Sequence, residues 1–324
     1  MQPAGNAALR IAAIVAAVAV ACAAPQSNGA APASDSAIAI DSTPVPLNPQ
    51  DASATAIGDF VYAGGLALTS LQTDQLHGLS DIAITGTDRL TAVGDLGVIL
   101  SARLVLDPAG RLVGVADAHL ASLTGEDGTR LSDKADADAE GLALLANGDR
   151  LVSFERRDRI WLYPANGGPP RPVPAPEVAF PNNGGMEALA PDPEPGVDAY
   201  VVGGEVSGDT WTCRVSMPCV RGRTVSKPDG FGLVAITRLP EMRTAYLLRA
   251  FDEARGNRIS LQIFREEHIL ARLDLTRPLT IDNFEGLAAV RRADGGFRFY
   301  LLSDDNASAT QRTLLVAFDW RTLN

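Results

Sequence analysis

One pattern recurs five times along this chain and restricts its fold more than any single residue does. A small or acidic residue opens an apolar run, a turn with Gly, Asp or Pro follows, and a second apolar run ends on a polar residue. Ser80-Asp81-Ile82-Ala83-Ile84 leads to Leu90-Thr91-Ala92-Val93-Gly94-Asp95. Glu140-Gly141-Leu142-Ala143-Leu144 leads to Arg150-Leu151-Val152-Ser153-Phe154-Glu155. Glu187-Ala188-Leu189-Ala190 precedes Ala199-Tyr200-Val201-Val202, which runs on to Glu205. Gly232-Leu233-Val234-Ala235-Ile236 precedes Ala245-Tyr246-Leu247-Leu248-Arg249. Glu285-Gly286-Leu287-Ala288-Ala289 precedes Phe299-Tyr300-Leu301-Leu302-Ser303-Asp304. Four strands of about five residues with their turns need roughly 40–50 residues, so this spacing fits a four-stranded propeller blade.

Third and fourth strands are legible after several copies, as in Arg159–Tyr163, Arg258–Phe264, Ala271–Leu275 and Thr313–Phe318. The expected fold is all-β, a β-propeller of five to six four-stranded blades over residues 56–324. Asp59–Leu68 either starts a sixth blade or closes the ring by pairing with the last one. The 30 Gly and 21 Pro suit many short strands and argue against a helical bundle.

The chain begins with an export pattern. Arg10 precedes the apolar run Ile11–Ala21, too short to be a comfortable permanent span. Two processing readings stand side by side over residues 1–23. Ala21-Cys22-Ala23 fits a signal-peptidase site, and Ala19-Val20-Ala21-Cys22 resembles a lipoprotein box that would lipidate Cys22. The expected location is the periplasm or outer envelope, soluble or lipid-tethered through Cys22. Residues 24–55 are rich in Ala, Ser, Pro and Gln and read as a flexible linker. Cys213 and Cys219 either close a small disulfide loop, as an oxidising compartment allows, or stay unpaired. The net charge of -11 repels phosphate backbones and argues against nucleic acid as a partner.

These same segments resemble the bacterial phytase-like family labelled "esterase-like activity of phytase". The resemblance is carried by Gly64-Gly65-Leu66-Ala67-Leu68, Gly78-Leu79-Ser80, Gly94-Asp95-Leu96-Gly97 and Asp138-Ala139-Glu140-Gly141-Leu142. It continues through Ser153-Phe154-Glu155-Arg156, Gly185-Met186-Glu187-Ala188-Leu189 and Asn283-Phe284-Glu285-Gly286-Leu287. Ser303-Asp304-Asp305-Asn306 and Gln311-Arg312-Thr313 complete it. It implies a propeller related in architecture to calcium-dependent phytases. Gly94-Asp95-Leu96-Gly97 stands where the family usually has Ser-Asp-Arg-Gly, and Leu247-Leu248-Arg249-Ala250 where it tends to read Leu-Glu-Arg-Arg.

Residues that open the innermost strand of each blade line a propeller's channel, which here selects Ser80, Glu140, Glu187, Gly232 and Glu285. Three glutamates converging without bases either bind a cation or cap strand ends on backbone amides. Hard oxygen donors without thiolate or imidazole favour Ca²⁺ or Mg²⁺ over zinc. The expected metal set is Ser80, Glu140, Glu187 and Glu285, with Ca²⁺ as the ion and Asp136 and Asp138 as outer ligands. Asp95 and Asp304 are expected to orient water, and Arg156 to grip the anion of a small phosphorylated or ester substrate. The competing class is a non-catalytic envelope propeller that binds a ligand or partner protein, its metal only structural. No G-x-S-x-G elbow, H-E-x-x-H or Walker A pattern is present.

Overall fold

The computed structural model describes Met1 and residues 35–321; the export segment, Cys22 and residues 24–34 of the expected linker lie outside the described residues. The chain from residue 35 opens with four strands: β1 (Ser36–Ile38), β2 (Asp41–Pro44), β3 (Ala56–Ile57) and β4 (Phe60–Thr69). The first blade contains β5 (Leu79–Thr85), β6 (Arg89–Gly94), β7 (Val98–Leu106) and β8 (Leu112–Ser122), and β1 extends it at the outer edge. A one-turn helix, α1 (Lys134–Ala137), leads into the second blade of β9 (Ala139–Leu144), β10 (Arg150–Phe154), β11 (Arg159–Tyr163) and β12 (Arg171–Val173). The third holds β13 (Ala188–Pro191), β14 (Ala199–Gly203), β15 (Asp209–Arg214) and β16 (Met217–Thr224). The fourth holds β17 (Gly232–Leu239), β18 (Arg243–Asp252), β19 (Gly256–Arg265) and β20 (His268–Leu275). The last runs β21 (Asn283–Arg291), β22 (Phe297–Asp304) and β23 (Leu314–Trp320), and takes β4 as its fourth strand, with β2 and β3 outside it.

The blade number is therefore five. β4 closes the ring, pairing Leu66 with Leu315 and Phe60 with Trp320, so Asp59–Leu68 starts no sixth blade. The linker expected over 24–55 needs correction within its described part, residues 35–55. Ser36–Ile38 pairs with β8, Asp41–Pro44 pairs with β4, and Leu47 is buried against the last two blades. These are edge strands with few apolar residues, so hydrophobic patterning does not reveal them.

Five apolar clusters hold the ring, one between each consecutive pair of blades. Val93, Leu142 and Phe154 join blades one and two; Leu151, Leu189 and Tyr200 join two and three. Val201, Leu233 and Tyr246 join three and four; Leu261, Phe284 and Phe299 join four and five. Leu79, Ile82, Tyr300 and Leu315 complete the circle. Cys213 and Cys219 form a disulfide across the β15–β16 hairpin, as the first of the two sequence readings has it. Among the described residues no helix is long and apolar enough to cross a membrane.

Candidate functional site

The innermost strands of three blades carry an irregularity at the same place. The β5–β6 register shifts between Leu79 and Asp81, β9–β10 between Ser153 and Phe154 opposite Glu140, and β21–β22 between Phe284 and Gly286. The residues concerned are Ser80, Glu140 and Glu285. A bulge bends the strand and re-aims one side chain, which explains why a polar residue recurs here inside apolar runs. Glu187 occupies the matching place just before β13, and Gly232 opens β17.

A second tier comes from the ends of the second strands: Asp95, Glu155, Glu205, Arg249 and Asp304. Four blades contribute a carboxylate and one a guanidinium. Arg249 donates to Asn283 Oδ1 at 2.6 Å and lies 3.2 Å from Glu205 Oε1 and 3.3 Å from Glu285 Oε1. Glycines make room for this tier. A Cβ on Gly78, at φ +66°, would stand 2.0 Å from Asp95 Oδ1, and one on Gly232 would stand 2.5 Å from Glu205 Oε1.

The electrostatics follow from burying so many acids together. Burial first, then repulsion by Glu285, Asp138, Glu155 and Asp304, raises the Glu140 carboxyl well above its ordinary value. Glu187 rises for the same first reason and through Glu205, with Arg249 opposing. Glu285 is also raised by burial against the pull of Arg249. Burial and Glu285 push Asp304 up to about 8. Burial would depress the Arg249 guanidinium, but Glu285, Glu187, Glu205 and Asp304 carry it above its usual range.

Two carboxylate oxygens in this region, Asp95 Oδ1 and Glu187 Oε2, are buried without a hydrogen-bond partner among the described residues. Orphaned carboxyl oxygens in an oxygen-only donor set fit a hard cation, which would bind their deprotonated form. One ligand atom each from Asp138, Glu140 and Glu155 lies within 4.8 Å of the others, close enough to share an ion. Glu187 and Glu285 feel Glu140 across the channel but are not part of that close group. Ser80 is buried and its hydroxyl donates to the Gly78 carbonyl at 3.4 Å.

Beside Arg156, which the sequence singles out, several further side chains engage these acids. Lys134, on α1, bridges Asp95 Oδ2 at 2.6 Å and Asp138 Oδ1 at 2.5 Å. The helix is placed by its N-cap, Asp133, which accepts from the Ala135 amide. Arg156 is half-exposed and donates through Nε to Asp138 Oδ2 at 2.5 Å. His77 Nδ1 lies 2.6 Å from Asp305 Oδ2, and Asp305 also accepts from the Gly78 amide and Thr313 Oγ1. Burial would raise Asp305, but His77 and these donors hold it below the ordinary carboxylate value. Asp81, buried beside Ser80, accepts from the amides of Ile82, Leu142 and Leu287 at 2.8, 2.9 and 3.3 Å, and so ties three innermost strands together. Its neighbour's polarity masked it, and its partners lie far away in sequence.

A family model described as "Phytase-like: Esterase-like activity of phytase" matches residues 74–307, which spans the acidic tiers, the first four blades from β5 on and the β21–β22 hairpin of the last. The chain belongs to that phytase-like family. No curated protein matches it. Among solved structures, a Bacteroides caccae protein of unknown function aligns at 11% identity and TM-score 0.40, over 79% of the phytase-like chain and 89% of its own. The virginiamycin B lyase of Staphylococcus aureus aligns at 10% identity and TM-score 0.41, over 82% and 77% respectively. A tail fibre of Staphylococcus aureus phage P68 aligns at 8% identity and TM-score 0.41, over 82% and 53%. The blade count of this phytase-like chain rests on its own strand pairing.

Proposed function

We propose that this phytase-like propeller is an exported, Ca²⁺-dependent hydrolase of phosphoesters or related esters in the cell envelope, soluble or tethered through lipidated Cys22. The observation that carries the reading is the cluster of Asp138, Glu140 and Glu155, whose ligand atoms lie within 4.8 Å of one another in a channel already crowded with carboxylates. Asp138, Glu140 and Glu155 would hold the ion, with Glu187 and Glu285 completing the negative field around it. Bound there, a hard divalent cation supplies Lewis acidity toward an ester or phosphoryl oxygen.

The chain's own groups do the rest. Asp304, pushed up to about 8, is poised to take or give a proton near neutral pH. Asp95 is held through Oδ2 by Lys134, which leaves Oδ1 free to orient a water. Arg156 commits its Nε to Asp138 and keeps its half-exposed terminal nitrogens for a substrate anion.

Arg249 favours a second reading, in which the ion only rigidifies a binding propeller. It already neutralises Glu205 and Glu285 from within the ring. Thermal melts in EDTA and in Ca²⁺, followed by a phosphoester turnover screen, separate the two. Ca²⁺ at about 100 times its dissociation constant raises stability by roughly 2.7 kcal/mol. Hydrolysis is expected to disappear in Glu140→Gln while the fold persists. No Ca²⁺-dependent rise in melting temperature would overturn the metal reading. A rise without turnover on any ester would leave the binding propeller.

A further inference from the structure

Blades four and five leave a cleft of about 570 Å³ that reaches Arg249 at its inner end. Its charge runs against that of the molecule. Arg249, Arg277 and Arg312 line it, with Asp282 the one acidic residue among its lining, in a chain whose net charge is -11. Asp282 is already engaged. Its carboxylate accepts from the amides of Asn283 and Arg312 at 3.1 Å each, and lies 3.5 Å from Arg312 Nε.

The three guanidiniums are held differently. Arg249 is fixed by Asn283, Glu205 and Glu285. Arg277 lies flat against the backbone of Gly256, whose φ is +71° and whose absent Cβ would stand 3.0 Å from the guanidinium carbon. It forms no ion pair among the described residues. Arg312 is half-exposed. Gln311 and Asn257 add amide groups, and the exposed Phe251 ring supplies one apolar wall. Arg277 carries no ion pair among the described residues and Arg312 has only the 3.5 Å contact to Asp282, whose carboxylate already accepts two amides, so the cleft's forked donors match a dianion better than a monocarboxylate.

We propose that this cleft binds the phosphate dianion of a small ligand through Arg277 and Arg312, backed by Arg249, with the remainder of the ligand reaching toward the acidic channel. This rests on the hydrolase reading for its purpose and assigns that site a phosphate-bearing substrate. The anion subsite then lies on the blade-four side of the channel, across from Arg156.

The test is calorimetric titration of inorganic phosphate into the full chain in EDTA, where no metal can recruit the anion. Wild type is expected to show saturable one-to-one binding that weakens by about tenfold or more in the double variant Arg277→Gln/Arg312→Gln. Both residues are exposed, so the variant should keep the wild-type melting temperature. The charge-matched double variant Arg103→Gln/Arg272→Gln removes two surface cations elsewhere and should bind phosphate like wild type. No saturable phosphate binding, or equal weakening in both double variants, overturns the site. Acetate binding as tightly as phosphate overturns the dianion assignment. A separate Ca²⁺ titration without phosphate reports on the metal reading, so either idea can fail while the other stands.

Discussion

Raising the pH in the absence of metal should destabilise this protein, against the usual behaviour of carboxylates in salt bridges. Asp304 is the group to calculate from, because it is almost fully buried and is carried from the ordinary value of 3.8 to about 8. In the unfolded chain it ionises near pH 4, while in the fold it keeps its proton to about 8. Stability from this group is fully present below pH 4 and is lost as pH rises through the folded value. Each pH unit between the two values costs about 1.4 kcal/mol. From pH 5.5 to 7.5 that amounts to about 3 kcal/mol from Asp304 alone. Glu140, Glu187 and Glu285 are displaced in the same direction and steepen the fall. For domains of 150–250 residues each kcal/mol moves the melting temperature by roughly 2–4 °C, so a drop of about 5–10 °C is expected. Calorimetric melts in EDTA across that range measure it directly. Ca²⁺ binds the deprotonated carboxylates, so the rise it produces should grow with pH. Asp304→Asn should flatten the slope in EDTA by about 1.4 kcal/mol per pH unit. A melting temperature that stays level or climbs between pH 5.5 and 7.5 in EDTA would refute the reasoning. It would mean that Arg249 and Lys134 already compensate the ring.

Two substitutions test how the site is held. Asp81→Ala strands the Leu142 and Leu287 amides on the two blades that flank its own; at about 1–3 kcal/mol per unsatisfied buried donor, chemical denaturation should show a loss of about 2–6 kcal/mol. Gly78→Ala forces a Cβ into Asp95 Oδ1 at a left-handed backbone position, so it should lower the melting temperature and weaken Ca²⁺ binding together, as paired melts with and without the ion would reveal.

The repeat made the blades legible because each innermost pair buries an unbroken apolar run on both sides. It did not settle the blade number. Phe60–Thr69 has the same apolar character whether it founds a blade or finishes one, and its partner Leu314–Trp320 lies at the other end of the chain. Ser36–Ile38 and Asp41–Pro44 were invisible because edge strands owe their place to backbone pairing more than to side-chain burial. Glu140, Glu187 and Glu285 could be singled out because a polar residue recurs at one phase of the repeat. Lys134, Asp81 and Arg277 could not. Their roles depend on Asp95, on two remote amides and on a glycine backbone, none of which a local pattern encodes.

The mixed composition of the last blade also governs the order in which this protein can assemble. Four blades are continuous in sequence and can form from neighbouring hairpins as the chain emerges. The fifth cannot, because β4 must wait for β23 while everything between them folds. Such long-range closure slows folding and leaves β4 an open edge in the interim. A chain broken off before Leu314 would keep that edge exposed for good, with Leu66 and Leu68 presented to any strand able to pair, and self-association would be its fate.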